Sequence, residues 1–447
     1  MIQARRYHPT NFMWFTWLLR HTYGLWLKRA YRITALNAEL FRNLKPPFIV
    51  VGNHTTLLDP FIANAFIPYP VHWVASDGNM RNPIMRFLLI KLVGSIPKSK
   101  AIPDLETVNW IVEIIRRKKG VVGVYPEGQS SWNGTAMPAF PATAKLLKLL
   151  KAPVVMAKTM GGYLTKPRWS HVRRPGSVEI SYSILFTPEQ LRAMSAEEID
   201  RVLNDALAFD DTAWCKSKGL RFESERGAES LELALHVCPA CGGLATMHSR
   251  RTEFRCERCG FAAVYQPDGS FCLMHEDSRQ GASCSGKEEL QAQAQAQTQT
   301  QTQTPPICEA LGFKMEAVMD SVAAWDSFQQ ACLKQELSRR LAEGIDEPLF
   351  QDSDVTLKQG KRIDLMKTVC RGSMALYLDR LEYRDARSKR LFSFPLSTIE
   401  GEGVLKWNFF EFYEGLNVYR TVFSDPAASG RKYASALGLL KSLRGAP

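Results

Sequence analysis

No apolar run in this chain approaches the ~20 residues that a membrane-crossing helix needs. The N-terminal candidate, Phe12 to Leu19, is interrupted by Arg20 and His21. That ending also disfavours a cleavable leader: Arg5 and Arg6 precede the run, but no small-residue cleavage site follows it. Cysteine is sparse, ten in 447 residues, which excludes a disulfide scaffold. Four of the ten have metal-ligand spacing, so a reducing compartment is expected. Acidic residues are outnumbered, 45 against 57 lysines and arginines, for a net charge of +12. Such a balance favours a polyanionic partner, and an anionic membrane surface or nucleic acid would qualify. Apolar content of 45% with 23% charged residues excludes a wholly disordered chain. The length implies two or three domains.

The chain is organised around Gly52-Asn53-His54-Thr55-Thr56-Leu57-Leu58-Asp59-Pro60. An apolar strand candidate, Phe48 to Val51, runs into it, and a short helical run, Phe61 to Ile67, leaves it. A histidine at a strand exit is aimed into a cleft by a rigid element. His54 can serve as a general base near neutral pH. Asp59 can accept the other ring N–H, fix the tautomer and stabilise the imidazolium. The plainer readings are a structural histidine, and an aspartate that caps a helix with Pro60 at its first position. A second stretch, Val121-Val122-Gly123-Val124-Tyr125-Pro126-Glu127-Gly128-Gln129-Ser130-Ser131, repeats the pattern of apolar strand and glycine-containing polar turn.

Together, Asn-His-x4-Asp and a Tyr-Pro-Glu-Gly some seventy residues later make the chain resemble the lysophosphatidate-type glycerolipid acyltransferases. The resemblance spans roughly residues 40 to 190. It implies transfer of a fatty acyl group from acyl-CoA or an acyl-carrier protein to the hydroxyl of a lysophospholipid, with 1-acylglycerol-3-phosphate the first expected acceptor. Catalytic roles then fall to His54 and Asp59, and acceptor-site roles to Glu127 and Gly128. Gly94-Ser95-Ile96-Pro97-Lys98-Ser99-Lys100 matches the family's intermediate block, so Lys98 and Lys100 are candidate phosphate contacts. Ala152-Pro153-Val154-Val155-Met156 matches its last block. Two positions depart from the pattern. Ser130 stands where the family usually has arginine, and a lysine replaces the arginine of the intermediate block. Arginine grips phosphate bidentately and lysine only as a point charge.

Periodicity organises the rest. Residues 1–44 are expected as interfacial helices, with Trp14, Trp17 and Trp26 among basic residues at a headgroup layer. Their plainer reading is a helix packed on the catalytic domain. Residues 45–211 alternate strand and helix, which predicts an α/β acyltransferase domain. Thr187 and Ser195 each open a capping box. Cys238-x2-Cys241 and Cys256-x2-Cys259 are separated by fourteen residues, one short of the usual spacing. Four thiolates so arranged predict a structural Zn2+ in a ribbon over residues 236–265. Cys272, His275 and Cys284 are read as uncommitted loop residues. A Gln-Ala and Gln-Thr tract makes 280–306 a disordered linker, and 307–345 reads as helical. Residues 350–447 read as a mainly β module resembling a pleckstrin-homology-like barrel, closed by a helix from Arg431 to Leu443.

The sequence therefore predicts an acyltransferase peripheral to the cytoplasmic face of a membrane. The rival is a non-enzymatic membrane adaptor that uses the same fold, ribbon and tail for binding, but such an adaptor has no need of His54 and Asp59. Nucleic acid is not expected as the partner, since only net charge and the ribbon suggest it.

Overall fold

A computed structural model describes residues 9–99, 104–274 and 306–445. Lys100, His275, Cys284 and nearly all of the expected linker lie outside the described residues.

The front of the molecule is a seven-stranded sheet flanked by helices. Its strands are β1 (Ile33–Leu36), β2 (Phe48–Gly52), β3 (Val71–Ser76), β4 (Ile96–Lys98), β5 (Val121–Val124), β6 (Val154–Met160) and β7 (Val178–Phe186). They lie in the order β1-β7-β6-β2-β5-β3-β4, parallel except where β6 meets β7. The central β2 is buried at all five positions, as expected of a strand covered on both faces. One face packs Phe48, Val50, Ile180 and Tyr182 against Leu27 and Tyr31. The other packs Ile49, Val51 and Val154 against Leu147, Ile199 and Leu203. Both predicted capping boxes form, at Thr187 and Ser195.

Several predicted boundaries are corrected. The α/β domain does not begin at residue 45, because β1 pairs in parallel with β7. Four residues between Arg32 and Asn37, both at positive φ, carry too little alternation to be read as a strand. β4 was likewise hidden by its three-residue length and its proline. Nor does the domain end at 211: the helix Asp211–Ser217 packs on Gly162–Thr165. The segment 1–44 is a helix pair, Met13–His21 and Tyr23–Ala30, followed by β1 and a short helix. Leu27 and Tyr31 enter the core, as the packed reading expects, while Trp14 and Trp17 are 60% and 61% exposed.

The ribbon strands are β8 (Met247–Arg250), β9 (Glu253–Cys256), β10 (Ala262–Tyr265) and β11 (Phe271–Leu273), one antiparallel sheet that runs past residue 265. The helical segment expected over 307–345 is three helices, of which Val322–Glu343 is the long one. It shares a core with the ribbon and with Trp132 and Trp169 of the front domain.

The C-terminal module is a second seven-stranded sheet: β12 (Phe350–Gly360), β13 (Lys367–Leu376), β14 (Arg380–Asp385), β15 (Leu391–Pro395), β16 (Gly401–Leu405), β17 (Phe409–Glu414) and β18 (Asn417–Phe423). It is antiparallel throughout, and β12 bonds both its successor β13 and the last strand β18. Tyr433, Ala436, Leu437 and Leu440 of the closing helix, Gly430–Leu443, fill its interior. The apolar run from Leu405 to Phe412 has the pattern of one strand but forms a hairpin, turned at Lys406 with φ +53.

This module is seated on the front domain. Buried Arg81, after β3, pairs with Glu411 of β17 and lies 3.5 Å from Asp77. Arg362, between β12 and β13, bonds Asp104 at 2.8 Å and Glu106 at 2.7 Å.

Candidate acyl-transfer site

His54 leaves the end of β2, and Asp59 opens the helix Asp59–Asn64. His54 Nδ1 lies 2.8 Å from Asp59 Oδ2. Asp59 is fully buried and accepts two further bonds, from Thr55 Oγ1 at 2.9 Å and from the Thr56 N–H at 2.9 Å. Its carboxylate thus turns back onto the loop, and the helix N-cap, Leu58, has no side-chain cap. The capping role open to Asp59 in the sequence is not the one it fills. Donating Nδ1–H to a carboxylate leaves Nε2 as the basic ring nitrogen. The imidazole stacks on Tyr125 at 4.4 Å, and Tyr125 stacks on Trp73 at 5.0 Å.

Glu127 and Gly128 follow β5, the direct neighbour of β2, and so meet the histidine turn. Glu127 Oε1 accepts the His54 N–H at 2.8 Å, and Oε2 accepts the Met137 N–H at 2.9 Å. Both carboxylate oxygens are therefore committed to backbone, and Glu127 acts on the site through the loop it holds. Burial pushes its pKa up to about 6 against those two bonds. Gly128 has φ +71, and a Cβ there would meet the Phe140 ring at 2.4 Å. Only glycine makes this turn. The Ser131 N–H donates to the His54 carbonyl at 2.7 Å, so two bonds, both to the His54 backbone, lash the two turns together.

Lys98 ends β4. It is half-buried, its Nζ donates to the Ser99 carbonyl at 2.7 Å, and burial lowers its pKa. The loop is drawn in by the Asp104 carboxylate, which accepts the Ser99 N–H at 3.2 Å. Ser130 is buried, and among the described residues its hydroxyl has no hydrogen-bond partner.

Sequence reasoning missed four contributors. Asn53 ties β2 to β6 by exchanging two bonds with the Thr159 backbone, at 2.7 and 2.8 Å. Its place beside His54 in the block was the available signal. Asp211 accepts the N–H groups of Gly161 at 3.0 Å and Tyr163 at 2.8 Å, and burial pushes its pKa up to about 7. Asp77 accepts from Ser99 Oγ at 2.9 Å, its pKa pushed up by burial to about 6. Arg168 contacts the Glu127 turn through the Ser130 carbonyl at 3.1 Å. Nothing local in the sequence marks these last three, because their partners are 22 to 50 residues away.

The scan against family models matches residues 32–157 to the family described as Acyltransferase. Over those residues the chain is similar to that family. The match includes the histidine turn, the intermediate block and the Tyr-Pro-Glu-Gly turn. No curated relative matches the chain. Among solved structures, the 1-acyl-sn-glycerophosphate (LPA) acyltransferase PlsC from Thermotoga maritima is 18% identical. That alignment covers 45% of this chain and 81% of that one, with a TM-score of 0.38. A chain of the 8S snRNP assembly intermediate aligns over 22% of this chain and 83% of its own, at 15% identity and TM-score 0.18. The C-terminal domain of an unknown protein from Leishmania infantum aligns over 24% and 93%, at 14% identity and TM-score 0.16.

Cys238, Cys241, Cys256 and Cys259 place their Sγ atoms within 4.8 Å of one another. The Cys238–Cys259 and Cys241–Cys256 pairs are 3.7 and 3.8 Å apart. A tetrahedron of Zn–S bonds of ~2.3 Å has sulfur edges of about 3.8 Å, so the four thiols fit a metal ion.

Proposed function

We propose that this protein transfers a fatty acyl group from a thioester, acyl-CoA or acyl-carrier protein, to the hydroxyl of a lysophospholipid. The His54–Asp59 bond, set against the Glu127 turn, carries the reading. His54 Nε2 takes the proton of the acceptor hydroxyl as its oxygen attacks the thioester carbonyl. The C–O bond forms as the C–S bond breaks, and the proton passes to the departing thiolate. That thiolate, with a pKa of roughly 8.5, needs little acid assistance. Asp59 holds the ring's tautomer and balances its charge. The N–H groups of His54, Thr56 and Ser131 are already bonded, so the oxyanion is left to other donors of the two turns.

The acceptor is 1-acylglycerol-3-phosphate or a close relative, bound near the Glu127 turn and the Lys98 and Lys100 loop. The cysteine cluster holds a structural zinc, closed by four thiolates and with no open position for chemistry. The C-terminal module is a pleckstrin-homology-like barrel: seven antiparallel strands, the first bonded to the last, and one closing helix support this. Membrane contact is peripheral. Among the described residues no helix is long and apolar enough to cross a bilayer, and Trp14, Trp17 and Trp26 are exposed beside basic residues.

The test is a labelled acyl-CoA assay against lysophosphatidate and other lysolipids, with wild type and His54→Ala side by side. Transfer by wild type alone supports the reading; equal turnover by both removes it.

A further inference from the structure

Ser130 occupies the position where the resemblance places an arginine, yet a guanidinium lies against it. Arg168 comes from the segment after β6, and Thr56 Oγ1 ties that segment to the histidine turn by a bond to the Lys166 carbonyl at 3.4 Å. Arg168 Nη1 donates to the Ser130 carbonyl at 3.1 Å and to Gln129 Oε1 at 3.3 Å. Its Nε donates to the Lys406 carbonyl at 3.0 Å, and its other terminal nitrogen to the Val404 carbonyl. The β16–β17 hairpin thereby aims a front-domain side chain.

Every one of those acceptors is neutral. Among the described residues, Arg168 makes no ion pair, although it is only 3% exposed. Buried charges are ordinarily matched by an opposite charge. Two other buried arginines follow that rule: Arg81 has Glu411, and Arg431 has Asp326. Among the described residues Arg174 lacks a carboxylate too, but its guanidinium lies against two aromatic rings, Trp169 at 4.9 Å and Tyr265 at 4.8 Å. Arg168 has one aromatic face, Trp132 at 4.6 Å, and shares it with Arg431 at 5.3 Å. The site is one anion short. A second orphan adjoins it, the buried Ser130 hydroxyl.

We propose that Arg168 is the anion-recognising residue of the acceptor end, a guanidinium relocated from position 130 to a neighbouring segment. The anion is the phosphate monoester of the acceptor, which displaces the half-buried Gln129 amide from Nη1 and takes the Ser130 hydroxyl as a further donor. Gln129 is the displaceable partner, since its bond to Arg168 is the longest of the set. The assignment rests on the acyl-transfer reading for its substrate but not for its binding chemistry.

Two measurements on the full-length, zinc-loaded chain test it. The first is calorimetric binding of glycerol 3-phosphate. Wild type should bind it, and Arg168→Lys should weaken binding at least tenfold; absence of binding by wild type, or equal affinities, overturns the proposal. The second is the ratio of kcat/KM for lysophosphatidate to kcat/KM for monoacylglycerol, an acceptor without phosphate. Arg168→Lys should lower this ratio at least tenfold, and adding Ser130→Arg should recover part of it. A variant that loses both activities in the same proportion marks Arg168 as a strut and overturns the assignment. Phosphate binding that depends on Arg168, without any transfer, would sink the acyl-transfer reading alone.

Discussion

Glu127 holds His54 by its backbone, 2.8 Å from carboxylate to N–H, across 73 residues of sequence. The catalytic candidate is thus clamped twice, through its ring by Asp59 and through its main chain by Glu127. Glu127→Gln keeps one acceptor oxygen and turns an NH2 against the other backbone N–H. An opposed buried donor costs roughly 1–3 kcal/mol. Denaturant unfolding should show that loss, and kcat should fall more than acceptor KM rises. Wild-type kcat in this variant would separate the turn from catalysis.

Asp59→Asn should lower kcat by about 10²–10⁴ with the fold intact, because the wrong tautomer of His54 then faces the acceptor. His54→Ala should do at least as much. Circular dichroism and zinc content must match wild type in both. A mild effect of Asp59→Asn on rate alongside a large loss of stability would make Asp59 a loop staple only.

Asp211 provides a pH test. Its pKa is about 7 folded, against about 3.9 for an unfolded aspartate. Between those values the folded chain holds the extra proton, so stability falls as pH rises through that window, by at most ~1.4 kcal/mol per pH unit for one group. Asp77 and Glu127, each at about 6, act in the same direction. Calorimetric Tm at pH 5.0 and 7.5 should fall less steeply in Asp211→Asn than in wild type. Parallel slopes would mean Asp211 is ionised throughout.

Much of this was readable from the residues. Both turns sat where strand periodicity stopped, and the cysteine spacing located the cluster. Strand β2 announced itself by an unbroken apolar run. What stayed hidden has a common cause: β1 and β4 are too short to show a period, and Asp211, Asp77 and Arg168 act through partners on other elements. The hairpin at Lys406 is masked in the sequence because apolar residues continue through the turn, Leu405 and Trp407 among them. Its positive φ is invisible in that pattern.

The cysteine cluster should be a metal-dependent folding element. The ribbon shares a core with Trp132 and Trp325, so loss of metal should reach the front domain. Cys241→Ser should lower zinc content below half an equivalent and lower Tm, and chelation of wild type should do the same. Unchanged Tm after complete zinc removal would make the cluster an appendage.

Membrane contact can be tested without truncation, since removing residues 1–32 would also remove Leu27 and Tyr31 from the core. Trp14→Ala with Trp17→Ala should reduce cosedimentation with anionic liposomes severalfold. Unchanged sedimentation would move the contact elsewhere.

The Arg81–Glu411 pair joins residues 330 positions apart, both all but sealed from water. Each partner also has a second one, Asp77 for Arg81 at 3.5 Å and Arg420 for Glu411 at 2.7 Å, so the pair is the centre of a four-residue charge cluster across the seam. A front-domain fragment cut free before β12 would keep Arg81 with Asp77 alone and would lose the Lys406 and Val404 carbonyls that hold Arg168. Such a fragment is a poor unit for recombinant dissection or for grafting onto another protein. Fusions that part the two ends of this chain would open that charged seam to solvent, whatever the state of the histidine.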